Sequence, residues 1–289
     1  MSALLINTDP INAFNQFWLK ADDYFHNKSK ANKELKANYS ESDVIWRYMD
    51  LSKLLSLFDM RKLFLSQISK FEDKYEGFYP VKDFIDPNDE FYSVISEKMV
   101  NELISVLKSG FYANCWHINK DESFAMWKIY SNKGIAIKTT VGNLKNSLRE
   151  NNKKLLLFGG VEYLDYHKQS INDYVTKKRN LGIYIPMLPV FFKRKEFDFE
   201  KEFRIVSIKR PNHTELKELN LKEKFQKIIA SAETSIKIDT NLDELIQEIY
   251  VSPFAEKWYH DLVSKLAKKY GVKSPVHKSQ IDNDPSFKK

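Results

Sequence analysis

An α+β fold with a mixed, largely antiparallel central sheet is what this sequence predicts, and three observations predict it. Short runs of β-branched and aromatic residues dominate the middle of the chain, helical spacing gathers at the N-terminal end and the C-terminus, and no internal repeat is visible. At 289 residues, with 43% hydrophobic and 14% aromatic side chains, the composition is that of a folded chain with ample material for a core.

Residues 1–40 read as an N-terminal helical extension. An apolar pattern (Phe14, Phe17, Trp18, Tyr24, Phe25) gives way to a polar run, which suits packing on the domain or on a protein partner. A single α+β domain follows over 41–275. VIWRYM from Val44 is a strand, and Asp50 or Ser52 can cap a helix that starts near Lys53 and carries Leu54, Leu55, Leu57 and Phe58. KLFLSQ, 62–67, is a second strand. Residues 88–109 place Phe91, Val94, Ile95, Met99, Leu103 and Leu107 at helical spacing and stop at Gly110. FYANCWHI, 111–118, is again a strand, and a short helix follows with Asp121 as its cap. Asn132, Lys133 and Gly134 turn the chain into the strand GIAIKTT. Further strands are expected at LLLFGGVEYLDY, PVFFKR, EKEFRIVSI and SIKIDT, with LGIYIPMLPVFF (181–192) a buried strand, loop and strand. LIQEIYVSP and EKWYHDLVSKLAKKYG form a closing strand, turn and helix, and 276–289 is a polar tail.

Composition narrows the function classes. The net charge of +7 suits an anionic partner such as nucleic acid, although abundant Lys, Asn, Ile, Phe and Tyr with scarce Gly and Pro is also what A/T-rich coding produces. One cysteine, Cys115, excludes an internal disulfide and a cysteine-rich zinc site, and a reducing cytoplasm is the expected compartment. The N-terminus does not read as a signal peptide, and the longest apolar run is too short for a bilayer and holds two prolines, so no membrane is expected.

Three clusters concentrate chemical groups. In FEKEFRIV, 199–206, alternation along one strand would put Phe199, Phe203 and Ile205 on one face and Glu200, Glu202 and Arg204 on the other. Two carboxylates there need a cation, a metal or a substrate between them; Lys193, Arg194 and Lys195 lie just upstream. The plain alternative is a charged edge strand with an internal Glu–Arg pair. Trp46, Arg47 and Tyr48 end a strand before a capped helix, where a guanidinium can fork onto phosphate and a tyrosine can stack on a ring; the alternative is a surface arginine and a core tyrosine. CWHINKDESFAMWKIYS gathers His117, Asn119, Glu122, Ser123, Trp127 and Tyr130, with Ser123, Trp127 and Tyr130 spaced to share a helix face fit for a flat aromatic ligand. A core helix is the alternative, with His117 a hydrogen-bonded structural histidine; no metal site is expected, because His117 has no second His or Cys at ligand spacing.

Taken in order, WRYMDLSKLLSLFDMRKLFLSQISKFEDKYEG, CWHINKDESFAMWKIYS with GIAIKTT, GGVEYLDY and FFKRKEFDFEKEFRIV resemble a bacterial domain-of-unknown-function family, number 2971, over about 44–206. That resemblance brings no activity with it. A second resemblance is to ADP-ribosyltransferases, whose sites run from an Arg or His on an early strand, through a Ser or Tyr block, to a late strand with a Glu-x-Glu pair. Arg47, then Ser123 with Tyr130, then Glu200 and Glu202 fall in that order, without a Ser-Thr-Ser strand. It implies an ADP-ribosyltransferase-like fold, with Glu202 and Glu200 catalytic and NAD held by Arg47, Tyr48, His117, Asn119, Ser123, Trp127, Tyr130, Arg194 and Arg204. The acceptor would be a protein or a nucleic acid, in a toxin or phage-defence setting. Two other readings stay open. One is a metal-dependent nuclease using Asp198, Glu200 and Glu202 with Lys201 or Lys195, and Asp165, Glu72 or Asp73 as further acids. The other is a non-catalytic sensor that binds a nucleotide or peptide in a Trp/Tyr groove.

Overall fold

The computed structural model describes residues 38–78, 104–106, 108–148, 156–171, 189–209 and 221–281. Most of the expected N-terminal extension, the first part of the 88–109 helix, residues 181–188 and the end of the polar tail lie outside them.

The elements run β1 (Val44–Met49), α1 (Leu51–Met60), β2 (Lys62–Gln67), β3 (Phe111–Ile118), α2 (Phe124–Tyr130), β4 (Ile135–Thr140), α3 (Val141–Asn146), β5 (Leu156–Gly160), β6 (Glu162–Leu164), β7 (Phe192–Arg194), β8 (Glu202–Ile208), α4 (Leu221–Ser231), β9 (Ser235–Asp239), α5 (Leu242–Leu245), β10 (Glu248–Val251), α6 (Lys257–Lys269) and β11 (Val276–Lys278). Nine strands form one mixed, mostly antiparallel sheet, so the α+β class holds; β10 and β11 run parallel within it, and β6 and β7 make a separate parallel pair.

Local chemistry sets the boundaries. Asp50 starts α1 by accepting from the Lys53 N–H at 2.8 Å, and Arg61 ends it in the left-handed region at φ 50. Ser123, not Asp121, caps α2, because its side chain accepts from the Met126 N–H. A Cβ on Gly134 would lie 2.3 Å from the Met49 carbonyl oxygen, so the turn into β4 requires glycine.

Alternation then divides the sheet into two faces. Ile45, Leu65, Trp116, Ile137, Phe203, Ile205 and Ile249 share one face with the buried residues of α1, α3, α5 and α6, and this is the main core. The opposite face carries a smaller apolar cluster of Trp46, Tyr48, Met126, Trp127, Ala136 and Tyr250, and beside it a buried polar group around β8.

The structure corrects several expectations. FEKEFRIV is not one strand: Lys195–Glu200 is a 3₁₀ helix, Lys201 turns left-handed at φ 40, and β8 begins at Glu202. Phe199 is consequently 41% exposed instead of joining Phe203 in the core. β8 lies inside the sheet, between β3 and β5, so the charged edge strand is overturned. LLLFGGVEYLDY divides at Val161 into β5, which pairs with β8 in the main sheet, and β6, which pairs with β7 outside it. Residues 276–278, read as tail, add β11 beside β10. At the other end, the Asn38 side chain pairs with both the N–H and the carbonyl of Gly160, where an added Cβ would collide with it.

A candidate ligand-binding cleft where the sheet forks

β3 has three strand neighbours, which places the cleft. One edge pairs with β8 along its length, from Phe111↔Ile208 to His117↔Glu202. The other edge is shared: Ala113 and Tyr112 pair with Ser66 and Gln67 of β2, while His117 and Ile118 pair with Trp46 and Ile45 of β1. Between them, Asn114, Cys115 and Trp116 have strand partners in β8 alone. β1 and β2 diverge there, and a cavity of about 410 Å³ opens in the gap. Its lining includes Arg47, Tyr48, Cys115, Trp116, His117, Tyr130, Lys193, Glu200 and Glu202, drawn from both faces of the sheet. A cavity of this size admits a small organic ligand.

The acidic end is a charge-balanced network in which Arg204 Nη2 and both Glu76 oxygens make no hydrogen bond. Lys193 Nζ donates to Glu200 Oε2 and to Glu202 Oε1, the latter at 2.9 Å, and lies 3.4 Å from Glu76 Oε2. Arg204, with no exposure at all, donates through Nε to Glu202 Oε2 at 2.7 Å, and its Nη1 stands 2.8 Å from Glu76 Oε1 and 2.7 Å from the Val190 carbonyl oxygen. Tyr130 OH donates to Glu200 Oε1 at 2.6 Å. Every oxygen of the three carboxylates thus faces a cation or a hydroxyl. Burial raises the Glu202 carboxyl, but the Arg204 guanidinium, its own hydrogen bonds and Lys193 outweigh it and hold the group well below the usual range. Glu200 goes the other way: burial, then the neighbouring Glu202, push it up to about 7 against the pull of Lys193. Arg204 therefore both supports and neutralises the pair.

Two further groups, on β1 and β3, face no opposite charge among the described residues. Arg47 Nη1 is buried with no hydrogen-bond partner, and the guanidinium lies over the Trp116 ring at 5.8 Å. Burial lowers it to about 10. His117 is almost fully buried; its Nδ1 donates to the Glu200 carbonyl oxygen at 2.6 Å, which leaves Nε2 as a lone pair, also buried and without a partner. Burial lowers the imidazole and Lys201 adds to that, against the Glu200 carbonyl, which raises it; the net shift is downward and favours the neutral ring. Cys115 lines the cavity as a thiol that burial and Glu202 push well above the usual range.

The sequence-selected residues part company here. Arg47, Tyr48, His117, Tyr130, Glu200 and Glu202 meet at the cavity; Asn119, Ser123, Trp127, Arg194 and Arg204 are not in its lining. Ser123 is a helix cap whose N–H donates to Tyr48 OH. Trp127 is core, with its Nε1–H on Glu122, and Asn119 donates to the Asp121 carbonyl and accepts from Trp46. Arg194 clamps Asp73 through two nitrogens. Of the acids proposed for a nuclease, Glu72, Asp73, Glu200 and Glu202 line the cavity, while Asp198 is exposed and Asp165 pairs with Lys195; among the described residues no three His, Cys, Asp or Glu side chains gather where a metal could be held. Glu76 is the member that sequence reasoning missed. It sits in the polar stretch KFEDKYEG, which looks solvated, and only its 1% exposure reveals its place. Among the described residues no helix is long and apolar enough to cross a membrane.

Comparison with protein-family models, curated proteins and solved structures finds no match. The residues alone carry the functional reading.

Proposed function

We propose that the fork binds a nucleotide and that the protein uses NAD to transfer an ADP-ribosyl group to a macromolecular acceptor. Arg47 is the observation that carries this reading. A guanidinium nitrogen buried without a partner is costly until an anion meets it, and Arg47 Nη1, on a half-buried side chain, meets none among the described residues. A pyrophosphate fits that need, and the Tyr48 and Trp116 rings in the lining offer faces for a base or a nicotinamide.

Across the cavity, Trp46, His117 and Glu202 stand in line over three adjacent strands, so the acidic end is about two strand spacings from β1. Glu202, kept ionised, opposes the positive charge that grows on the ribose as its C1′–N bond breaks and nicotinamide leaves with the electron pair. The acceptor's nucleophile forms the new bond to C1′ and gives up its proton. Glu200, near 7, has the affinity to take it. The net charge of +7 suits a nucleic-acid acceptor in the cytoplasm.

A non-catalytic nucleotide sensor is the second reading. It is favoured by the full occupation of the carboxylate oxygens by Lys193, Arg204 and Tyr130. Incubation with NAD separates the two. Nicotinamide release, abolished in Arg47→Gln and Glu200→Gln, is expected for the transferase; calorimetric binding of NAD without release leaves the sensor; no binding removes both.

A further inference from the structure

We infer that His117 sets the specificity of the cleft by accepting a hydrogen bond at Nε2, so that the ligand must present a hydroxyl or an N–H there while its anion meets Arg47. This rests on the ligand-binding reading of the fork. The tautomer is fixed by geometry: the Glu200 carbonyl oxygen can only accept, so Nδ1 must carry the proton and Nε2 the lone pair. The lone pair is buried, has no partner and belongs to a residue in the cavity lining. The 2.6 Å Nδ1 bond to the Glu200 carbonyl fixes the orientation of the imidazole, and the Tyr48 ring stands edge-on beside it at 65° with centroids 6.2 Å apart.

The two unsatisfied groups have opposite demands. Arg47 offers a donor and asks for an acceptor; His117 offers an acceptor and asks for a donor. A carbonyl, ether or phosphate oxygen set against Nε2 would place lone pair against lone pair, so an isosteric ligand lacking the proton is rejected by about tenfold to a hundredfold. Lys193 cannot relieve the histidine, being occupied by Glu200 and Glu202. Nor can Tyr130, whose hydroxyl proton is already on Glu200. His117 is thus a binding residue for the ligand, and through its Nδ1 bond it also positions Glu200.

Nitrogen-15 spectra of the imidazoles in the full-length protein test this, with NAD as the probe and calorimetry in parallel. The free protein is expected to show His117 as the Nδ1–H tautomer, and saturation with NAD should move the Nε2 resonance toward its protonated position while Nδ1 stays in place. His117→Phe should weaken NAD binding by about tenfold to a hundredfold, and His117→Gln, which restores an acceptor near Nε2, should recover part of that loss. No heat with NAD would defeat the ligand-binding reading, and this inference with it. Heat with an unmoved Nε2 resonance, an Nε2–H tautomer in the free protein, or equal affinities for wild type and a folded His117→Phe would overturn the inference alone.

Discussion

Two walls of one cleft treat buried charge in opposite ways. At the β8 end, Lys193 and Arg204 are distributed over Glu76, Glu200 and Glu202 until each carboxylate oxygen faces a cation or a hydroxyl, although Arg204 Nη2 and both Glu76 oxygens make no hydrogen bond. Across the seam, Arg47 of β1 and His117 of β3 each keep a buried atom that, among the described residues, has neither a hydrogen bond nor an opposite charge. The difference separates scaffold from receptor. A network in which every charge faces its opposite holds strands and loops together and has little left to offer a ligand, whereas a buried group that faces no opposite charge is held in reserve for a molecule that supplies the missing partner.

The comparison breaks most readily at Arg204. Arg204→Met strands Glu202 and Glu76 in the interior, and removal of one partner of a buried network costs about 3–5 kcal/mol. Urea unfolding should show the loss; a variant as stable as wild type would mean that the network is not scaffold. Arg47→Met should do the reverse, because it deletes a charge that burial already penalises. Its unfolding free energy is expected to be unchanged or higher by about 1 kcal/mol while NAD binding is lost. If Arg47→Met unfolds like Arg204→Met, the two walls are alike after all.

Glu200→Gln sharpens the contrast through pH. The Glu200 carboxyl sits near 7 in the folded protein and near 4.5 in the unfolded chain, so the folded state binds the extra proton between those values. This group's contribution to stability is therefore greatest below about 4.5 and is lost as pH rises through 7. Denaturation midpoints measured from pH 5 to pH 8 should fall less steeply in Glu200→Gln than in wild type; parallel curves would place the titration elsewhere. Tyr130→Phe is the smallest change. Loss of one hydrogen bond to a charged group should cost about 1 kcal/mol and raise the Glu200 carboxyl further, a shift visible by carbon-13 NMR of labelled glutamate.

Sequence legibility followed the same divide between local and distant causes. β1, β2, β3 and β4 were readable because short apolar runs end in capping or turn residues within the same stretch, such as Asp50 and Gly134. β8 was legible as a strand but not at its start, since alternation cannot show that Lys201 turns left-handed and breaks the pattern before Glu202. α3, α4 and α5 are not foreseen: α3 is six residues long and α5 four, too short for a helical period to stand out, whereas α4 is eleven residues with Leu221, Phe225, Ile228 and Ile229 at helical spacing, a period that was there to read. In the site, Glu200, Glu202 and Arg204 could be seen to lie together because two-residue spacing is local. Glu76, distant in sequence, and the emptiness around Arg47 could not, because both depend on which strands β3 pairs with.

The partner exchange along β3 reaches beyond the placement of a cavity. On that edge β3 is joined to β1 through two residue pairs and to β2 through two others, with three residues of open seam between. β4, β10 and β11 continue outward from β1, and β9 from β2, so each flank of the molecule hangs on a short hinge-like stitch to the same central strand. A molecule lodged in the seam stands where the absent rungs of the ladder would be. It would be mortar between two flanks as well as cargo, and the tightness with which it is held would be felt as far out as β9 and β11.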